Sequence, residues 1–165
     1  MGLEELVMRS SIWVALALYL IGEITRLRWR AGMPVQARRA QAIWLLGIAL
    51  YALHVLLAFG TYHGWSHSAA YEFTARQTEA LVGWRWGGGI FVNHLFSAAW
   101  LAELVCWWSA PDRYQQRARW IDMSVRLFFA FMIANGAVVF VSGPQRWVGM
   151  AIVASLLLGF CRHRC

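Results

Sequence analysis

The sequence predicts an all-α integral membrane protein: a bundle of about five transmembrane helices, with its N-terminus outside and an amphipathic helix on its outer surface. Three observations support this prediction. Charged residues make up only 14% of the 165 residues and hydrophobic residues 60%, whereas roughly a quarter of an ordinary soluble domain is charged. The apolar residues form long blocks, as membrane spans require. All 15 basic residues are arginines, and most lie between the blocks, where membrane topology explains them.

The predicted spans belong to a single transmembrane domain, 1–165. We predict helices at 10–25, 41–60, 89–108, 120–141 and 147–160, with an outer loop at 61–88. Pro34 breaks the helical pattern between the first and second spans, because proline lacks the amide hydrogen that a helix interior needs. The fifth run is short compared with the ~20 residues that a bilayer span requires.

The arginines and tryptophans predict the orientation. Arginine clusters follow the first, third and fifth helices, whereas the N-terminus is acidic and the outer loop has mixed charge. Since arginines concentrate in cytoplasmic loops, we expect the N-terminus outside and the C-terminus in the cytoplasm. Most tryptophans fall near one of the two predicted interfaces, as aromatic belts do. The expected location is the bacterial cytoplasmic (inner) membrane, with the outer loop facing the periplasm.

The outer loop contains a predicted amphipathic helix at 68–81, which we expect to lie on the outer surface. Ser68 is the predicted N-cap, since a serine hydroxyl can accept a hydrogen bond from a first-turn amide. Glu72, Arg76 and Glu79 follow at spacings of four and three residues, which places them on one face. The glycines at 87–89 then let the chain turn sharply into the third span.

Two histidines within the apolar spans are candidate cofactor ligands. His54 and His94 lie about two turns below the outer ends of antiparallel helices, and Asn135 lies at a comparable depth. Two imidazoles at one level could be the axial ligands of a haem; a chlorophyll-type pigment or a bare transition metal fits the same spacing. The alternative, that both are ordinary polar contacts, is about equally supported.

A second candidate site lies just above, where His63 and His67 are four residues apart and Glu72 is nearby. If the segment is helical, both imidazoles share one face, which is the spacing of helical two-histidine metal sites. Gly64 and Trp65 disfavour a helix there. The competing interpretation is that both histidines hydrogen-bond backbone carbonyls or lipid headgroups.

Three charged residues are predicted to form a structural ion pair in the cytoplasmic half of the bundle. Glu23, Glu103 and Arg126 fall at similar depths within apolar spans. Because a charge in hydrocarbon demands a partner, we expect Arg126 to pair with Glu103 or Glu23. A proton or ion path is the less favoured alternative.

The middle third of the chain resembles a family of small, uncharacterised bacterial multi-pass membrane proteins. The resemblance is carried by the HGWSH segment that begins at His63, the TARQT segment that begins at Thr74, and the GWRWGGG segment that begins at Gly83. This family brings no activity, cofactor or site assignment with it.

These observations predict a non-catalytic membrane subunit or binding module, within a larger redox or energy-converting membrane complex, whose outer-leaflet histidine site holds a metal or porphyrin. One alternative is a metal-dependent membrane oxidoreductase that uses His63, His67, His94 and Glu72. Another is a purely structural assembly subunit without a cofactor. The expected partners are the lipid bilayer and other membrane protein subunits. Nucleic acid is not expected, because the net charge of +7 arises from loop arginines and no basic face on a soluble fold is visible.

Overall fold

The computed structural model describes residues 3–30, 36–141 and 143–162, and these residues form helices without a β-strand. The helices are α1 (Leu3–Arg30), α2 (Gln36–His63), α3 (His67–Val82), α4 (Gly89–Ser109), α5 (Pro111–Gln116), α6 (Arg119–Ala134), a π-helical turn (Asn135–Val139) and α7 (Gln145–Arg162). The predicted helix break at Pro34 lies outside the described residues.

Four segments are long and apolar enough to cross a membrane, judged by length and composition. They are Glu5–Trp29, Ala37–His63, Gly89–Ser109 and Arg119–Val139. Gln145–Leu158, within α7, is a shorter apolar helix. The architecture of the described residues is therefore that of an all-helical membrane protein with four candidate spans.

Several helix bounds differ from the predicted ones. The first helix begins at Leu3 rather than at 10 and continues to Arg30, because the flanking segments are rich in leucine, glutamate and arginine, which favour helix beyond the apolar run. The arginine-containing segment between the predicted helices 89–108 and 120–141 includes α5, with a proline in its first turn. The predicted helix 120–141 changes from α to π at Asn135.

The long helices pack as antiparallel neighbours around an aromatic core. α1 and α2 are in contact along most of their length, and Tyr19 of α1 stacks on Trp44 of α2 at a ring-centroid distance of 5.7 Å. Trp100 of α4 and Phe129 of α6 meet the same tyrosine at 5.3 Å and 5.5 Å. Tyr19, Trp100 and Phe129 are at most 1% exposed, so this core separates the two ends of the bundle.

The two ends differ in their connections. We call the end that carries α3 and the loops 64–66 and 83–88 the α3 end. The opposite end carries α5, and we call it the α5 end.

α7 is positioned by the π-helical turn. The amide of Phe140 donates to the carbonyl of Asn135 at 3.0 Å, which is the i→i+5 bond of a π-turn. Where α7 crosses this turn, a Cβ atom at Gly149 would collide with the carbonyl of Ala137. The glycine therefore permits a backbone contact that no other residue would allow without a shift.

Candidate functional site

The α2–α3 turn separates His63 from His67, which would share one helix face only if the segment between them were helical. Gly64 and Trp65 both have left-handed backbone conformations, with φ of 53° and 61°. The amide of Trp65 donates to the carbonyl of Phe59 at 3.2 Å, a hydrogen bond typical of helix C-termini. His63 thus ends α2 and His67 begins α3, so the segment is not one helix and the two imidazoles do not share a helical face.

The N-cap of α3 is Ser66, and not Ser68 as predicted. The hydroxyl of Ser66 accepts a hydrogen bond from the amide of Ala69 at 3.3 Å and lies 2.9 Å from the hydroxyl of Ser68. The N-cap therefore lies two residues earlier than the sequence suggested, immediately after the left-handed turn.

Three residues of α3 contact the segment that follows the helix. Arg85 forms ion pairs with Glu72 and, at 3.0 Å, with Glu79. Gly87 packs against the backbone and ring of Tyr71 so closely that a Cβ atom would not fit. The Glu72 carboxylate, predicted as a metal ligand beside His63 and His67, is paired instead with this arginine.

A cavity of about 290 Å³ lies beneath α3, between α1, α2, α4 and the π-helical turn. Most of its lining is aliphatic or aromatic. The polar side chains in the lining are Tyr51, His54, His63, Thr74, Asn93, His94 and Ser97. Ala70 of α3, which is 2% exposed, closes one side. The cavity therefore combines an apolar wall with uncharged hydrogen-bonding groups.

His54 is oriented by a backbone carbonyl of the neighbouring helix. Its Nδ1 lies 2.8 Å from the carbonyl oxygen of Met8. Since a carbonyl can only accept, Nδ1 carries the proton and Nε2 is left with a free lone pair. This arrangement is the one that ligating histidines use, because the second nitrogen fixes the ring while the first binds.

His63 has an unsatisfied nitrogen beside the cavity. Its Nδ1 is buried and finds no hydrogen-bond partner among the described residues. Its ring makes edge-to-face contacts with the rings of Phe59 and Phe73, at centroid distances of 6.0 Å and 5.2 Å. Because buried polar atoms are ordinarily hydrogen-bonded, this nitrogen is a natural contact for a ligand in the cavity.

His94 faces His67, not His54, with its distal nitrogen. The two Nε2 atoms are 3.1 Å apart, so one donates a hydrogen bond and the other accepts it. Both residues are exposed at the α3 end. The predicted axial pair His54 and His94 does line one cavity, but the Nε2 atom of His94 is not free to share an iron with His54.

Asn135 does not join the histidines. Its side-chain nitrogen donates to the carbonyl of Phe131 on its own helix at 3.1 Å. The cavity lining instead includes Asn93 and the two residues after Asn135, Gly136 and Ala137. The π-turn shifts the register at this point, which depth counting on an ideal helix does not include.

The part of the chain that the structure describes contains no group of three or more histidine, cysteine, aspartate or glutamate side chains that could hold a metal ion. The predicted trio of His63, His67 and Glu72 is accordingly not assembled. Among the potential metal ligands described above, His67 and His94 lie closest together.

At the α5 end, a second polar region is centred on Arg26, which is 1% exposed. Its Nε and Nη2 atoms donate to the two carboxylate oxygens of Glu23, both at 2.8 Å. Its Nη1 lies 3.4 Å from Asp122. A bidentate guanidinium–carboxylate contact is the strongest form of such a pair.

Two further arginines complete this cluster. Arg117 lies 2.5 Å from Glu103 and 2.6 Å from Asp122. Arg126 lies 3.0 Å from Asp122 and 3.3 Å from Glu23. Among the described residues, three carboxylates thus meet three guanidinium groups.

Tyr114 joins the cluster from α5. Its hydroxyl donates to Glu103 at 2.8 Å, and the Arg117 guanidinium carbon lies 4.3 Å from its ring centroid. Burial raises the pKa of Tyr114 well above its usual value, so the phenol keeps its proton and can donate. The cluster therefore connects α1, α4, α5 and α6.

Of the predicted ionic residues, the structure brings Arg126 to Glu23, while Glu103 pairs with Arg117. Sequence reasoning assigned no role to Arg26, Asp122 or Tyr114. A signal was present for Arg26 and Asp122: Glu23–Arg26 and Asp122–Arg126 are spaced at i, i+3 and i, i+4, which brings opposite charges together on a helix.

No protein-family model matches the chain, and neither a curated protein nor a solved structure shows significant similarity to it.

Proposed function

We propose that the protein is an integral membrane binding module that holds a small ligand in the histidine-lined cavity at the α3 end. The observation that carries this proposal is His63, which lines a cavity of about 290 Å³ and whose buried Nδ1 atom has no partner among the described residues. Small-molecule sites are typically apolar cavities with a few placed polar groups, and this cavity has that composition.

The lining chemistry indicates a neutral ligand. The described side chains around the cavity include hydroxyl, amide and imidazole groups but neither a carboxylate nor a guanidinium. A charged ligand would lose its hydration without gaining a counter-ion, which is costly in an apolar site. The ligand class is therefore a small, mostly apolar molecule with one or two hydrogen-bonding groups.

A porphyrin fits this site less well than the sequence suggested. The cavity volume lies at the lower limit of about 300 Å³ for ligand pockets in general. One of the two predicted axial nitrogens, Nε2 of His94, already contacts His67. A sandwich between His54 and His94 would require both a larger cavity and a different ring orientation.

We further propose that the α3 end faces the periplasm and that the protein resides in the cytoplasmic membrane with its N-terminus outside. The arginine-rich connections would then lie on the cytoplasmic side, in agreement with the positive-inside rule. In this topology α7 is a fifth span: its 18 residues extend about 27 Å at ~1.5 Å per residue, close to the ~30 Å of a bilayer core.

As a further part of the proposal, the module serves as a subunit of a larger membrane complex. The connections between the helices are short: α3 follows α2 after three residues, and α4 follows α3 after six. Such connections offer little room for catalytic machinery outside the bundle, so a binding role within an assembly suits the chain better than an independent enzyme.

The test is to identify small molecules that remain bound after mild detergent purification from native membranes, by native mass spectrometry. Ala58→Phe places a ring in the cavity, which Ala58 lines. Ala102→Phe makes the same change at an exposed position of α4 and is the matched control. We expect a stoichiometric neutral ligand in the wild type and in Ala102→Phe, and its loss in Ala58→Phe.

Two outcomes would contradict the proposal. One is a wild-type protein that carries no small molecule but copurifies with other membrane subunits, which would indicate a structural role. The other is a ligand retained equally by both phenylalanine variants, which would place its site elsewhere.

A further inference from the structure

The two exposed histidines at the α3 end have a geometry that goes beyond a simple polar contact. His67 is the first residue of α3, and His94 lies on α4. Their Nε2 atoms are 3.1 Å apart, although the residues are separated by 27 positions in the chain. Two backbone elements therefore aim their distal imidazole nitrogens at one point.

We propose that His67 and His94 form a two-histidine site for a divalent transition-metal ion such as Zn²⁺ or Cu²⁺. Metal–nitrogen bonds of about 2.0–2.1 Å at a tetrahedral angle place two ligand nitrogens roughly 3.3 Å apart. The observed separation differs from that value by only a few tenths of an ångström. A metal ion can thus replace the shared hydrogen bond with little change in the separation of the two nitrogens, once each ring turns its lone pair toward the ion.

Replacement of the hydrogen bond by a metal ion needs no net loss of protons from the two imidazoles. In the hydrogen-bonded pair, one neutral imidazole carries its proton on Nε2 and donates a hydrogen bond to Nε2 of the other. When both Nε2 atoms bind a metal, the donor imidazole carries its proton on Nδ1 instead, as neutral histidine can. Both rings remain neutral, which is the state that binds metals.

The surroundings select the class of ion. Imidazole nitrogens suit Zn²⁺, Cu²⁺ and Ni²⁺, whereas Mg²⁺ and Ca²⁺ prefer oxygen ligands. The Glu72 carboxylate, which the sequence suggested as a metal ligand, is paired with Arg85. A hard cation therefore gains little here, and a borderline transition metal is the ion that the pair fits.

Two protein ligands leave coordination positions open. Water can fill them. His94 also lines the cavity, so a ligand held there could occupy one of these positions. Only this last step depends on the proposed binding function; the metal site itself does not.

The experiment is a Cu²⁺ titration of the protein in zwitterionic-lipid nanodiscs, followed by electron paramagnetic resonance, with Zn²⁺ as competitor. To remove competing sulfur and imidazole groups, it uses a background with Cys161→Ser, His163→Ala and Cys165→Ser. We expect one equivalent of Cu²⁺ with nitrogen hyperfine structure, displaced by Zn²⁺. His67→Ala and His94→Ala should each abolish this stoichiometric binding.

Two control variants separate this proposal from the cavity function. His54→Ala removes an imidazole from the same cavity but not from the pair, and should bind Cu²⁺ as the background protein does. Ala58→Phe, which fills the cavity, should also retain the metal. Binding that survives His67→Ala and His94→Ala, or that is lost with His54→Ala, would overturn the two-histidine assignment whether or not a cavity ligand is found.

Discussion

At the α5 end, Arg26 contacts Glu23 through two hydrogen bonds and lies near Asp122, whereas at the α3 end the buried Nδ1 of His63 lacks a partner among the described residues. Both regions place polar groups within apolar helices. One joins charges into a closed network, and the other arranges neutral imidazoles around a cavity.

The difference follows from the cost of burying each kind of group. A charged side chain in hydrocarbon must be paired, because its desolvation costs far more than an unsatisfied hydrogen bond. A neutral imidazole loses only about 1–3 kcal/mol when a nitrogen is unpaired, which a ligand can restore. We therefore expect disruption of a pair at the α5 end to cost more stability than loss of a hydrogen bond at the α3 end, where we propose that a ligand binds.

The largest expected effect is at the α5 end. Arg26→Leu leaves Glu23 without its two closest hydrogen bonds in an apolar environment, and breaking a buried pair in this way typically costs about 3–5 kcal/mol. We expect a loss of that size in the free energy of unfolding, measured by SDS titration in mixed micelles.

Two matched variants sharpen this prediction. Arg9→Ala removes an exposed ion pair with Glu5 and should change stability by less than ~1 kcal/mol. His54→Leu removes a single hydrogen bond at the α3 end and should cost about 1 kcal/mol. If Arg26→Leu is no more harmful than these two, the distinction between a stabilising end and a binding end is wrong.

The pH dependence provides a second, smaller test. Burial raises the pKa of Tyr114, while the unfolded chain loses the phenolic proton near its ordinary pKa of about 10. Above that pH the unfolded state binds fewer protons, so the free energy of unfolding falls as pH rises, by at most about 1.4 kcal/mol per pH unit. Below it, the contribution of Tyr114 is fully present.

Tyr114→Phe isolates this contribution. The variant loses the hydrogen bond to Glu103 and should be less stable at neutral pH by about 1 kcal/mol. Its stability should decline less steeply than that of the wild type above roughly pH 10. Equal slopes for the two proteins in unfolding titrations at alkaline pH would show that Tyr114 is not protected by the cluster.

The smallest expected effect concerns the start of α3. Ser66→Ala removes the hydroxyl that accepts from the amide of Ala69, at a cost of about 1 kcal/mol. We expect faster amide hydrogen exchange in the first turn of α3, with little change elsewhere. Ser68→Ala, the change at the residue that the sequence suggested as the cap, should leave that exchange nearly unaltered. The reverse order would restore the original assignment.

The apolar runs were sufficient to predict an all-helical membrane protein, because long blocks without charge allow few other structures. They could not define how His63 relates to His67. That relation depends on the left-handed conformations of Gly64 and Trp65, and a non-glycine residue rarely adopts such a conformation. A spacing of four residues therefore does not place the two imidazoles on one face at this turn.

The ionic cluster was predictable in kind but not in membership. Depth counting placed Glu103 and Arg126 at one level, but it ignored α5, which brings Arg117 back onto Glu103. Arg26 was counted among the loop arginines, although α1 continues past it to Arg30. Such pairings depend on where a helix ends, and element boundaries are the least certain part of any sequence-based prediction.

The contact between Gly149 and Ala137 also constrains the number of residues in the π-helical turn. A π-turn accommodates a residue that a regular α-helix would not contain at that place, and each residue of an α-helix rotates the chain by about 100°. Deleting one residue from 135–139 would remove the extra residue of the π-turn and so change the backbone against which Gly149 packs, even with every other side chain unchanged. Natural variants of this segment should therefore differ by substitution and seldom by insertion or deletion.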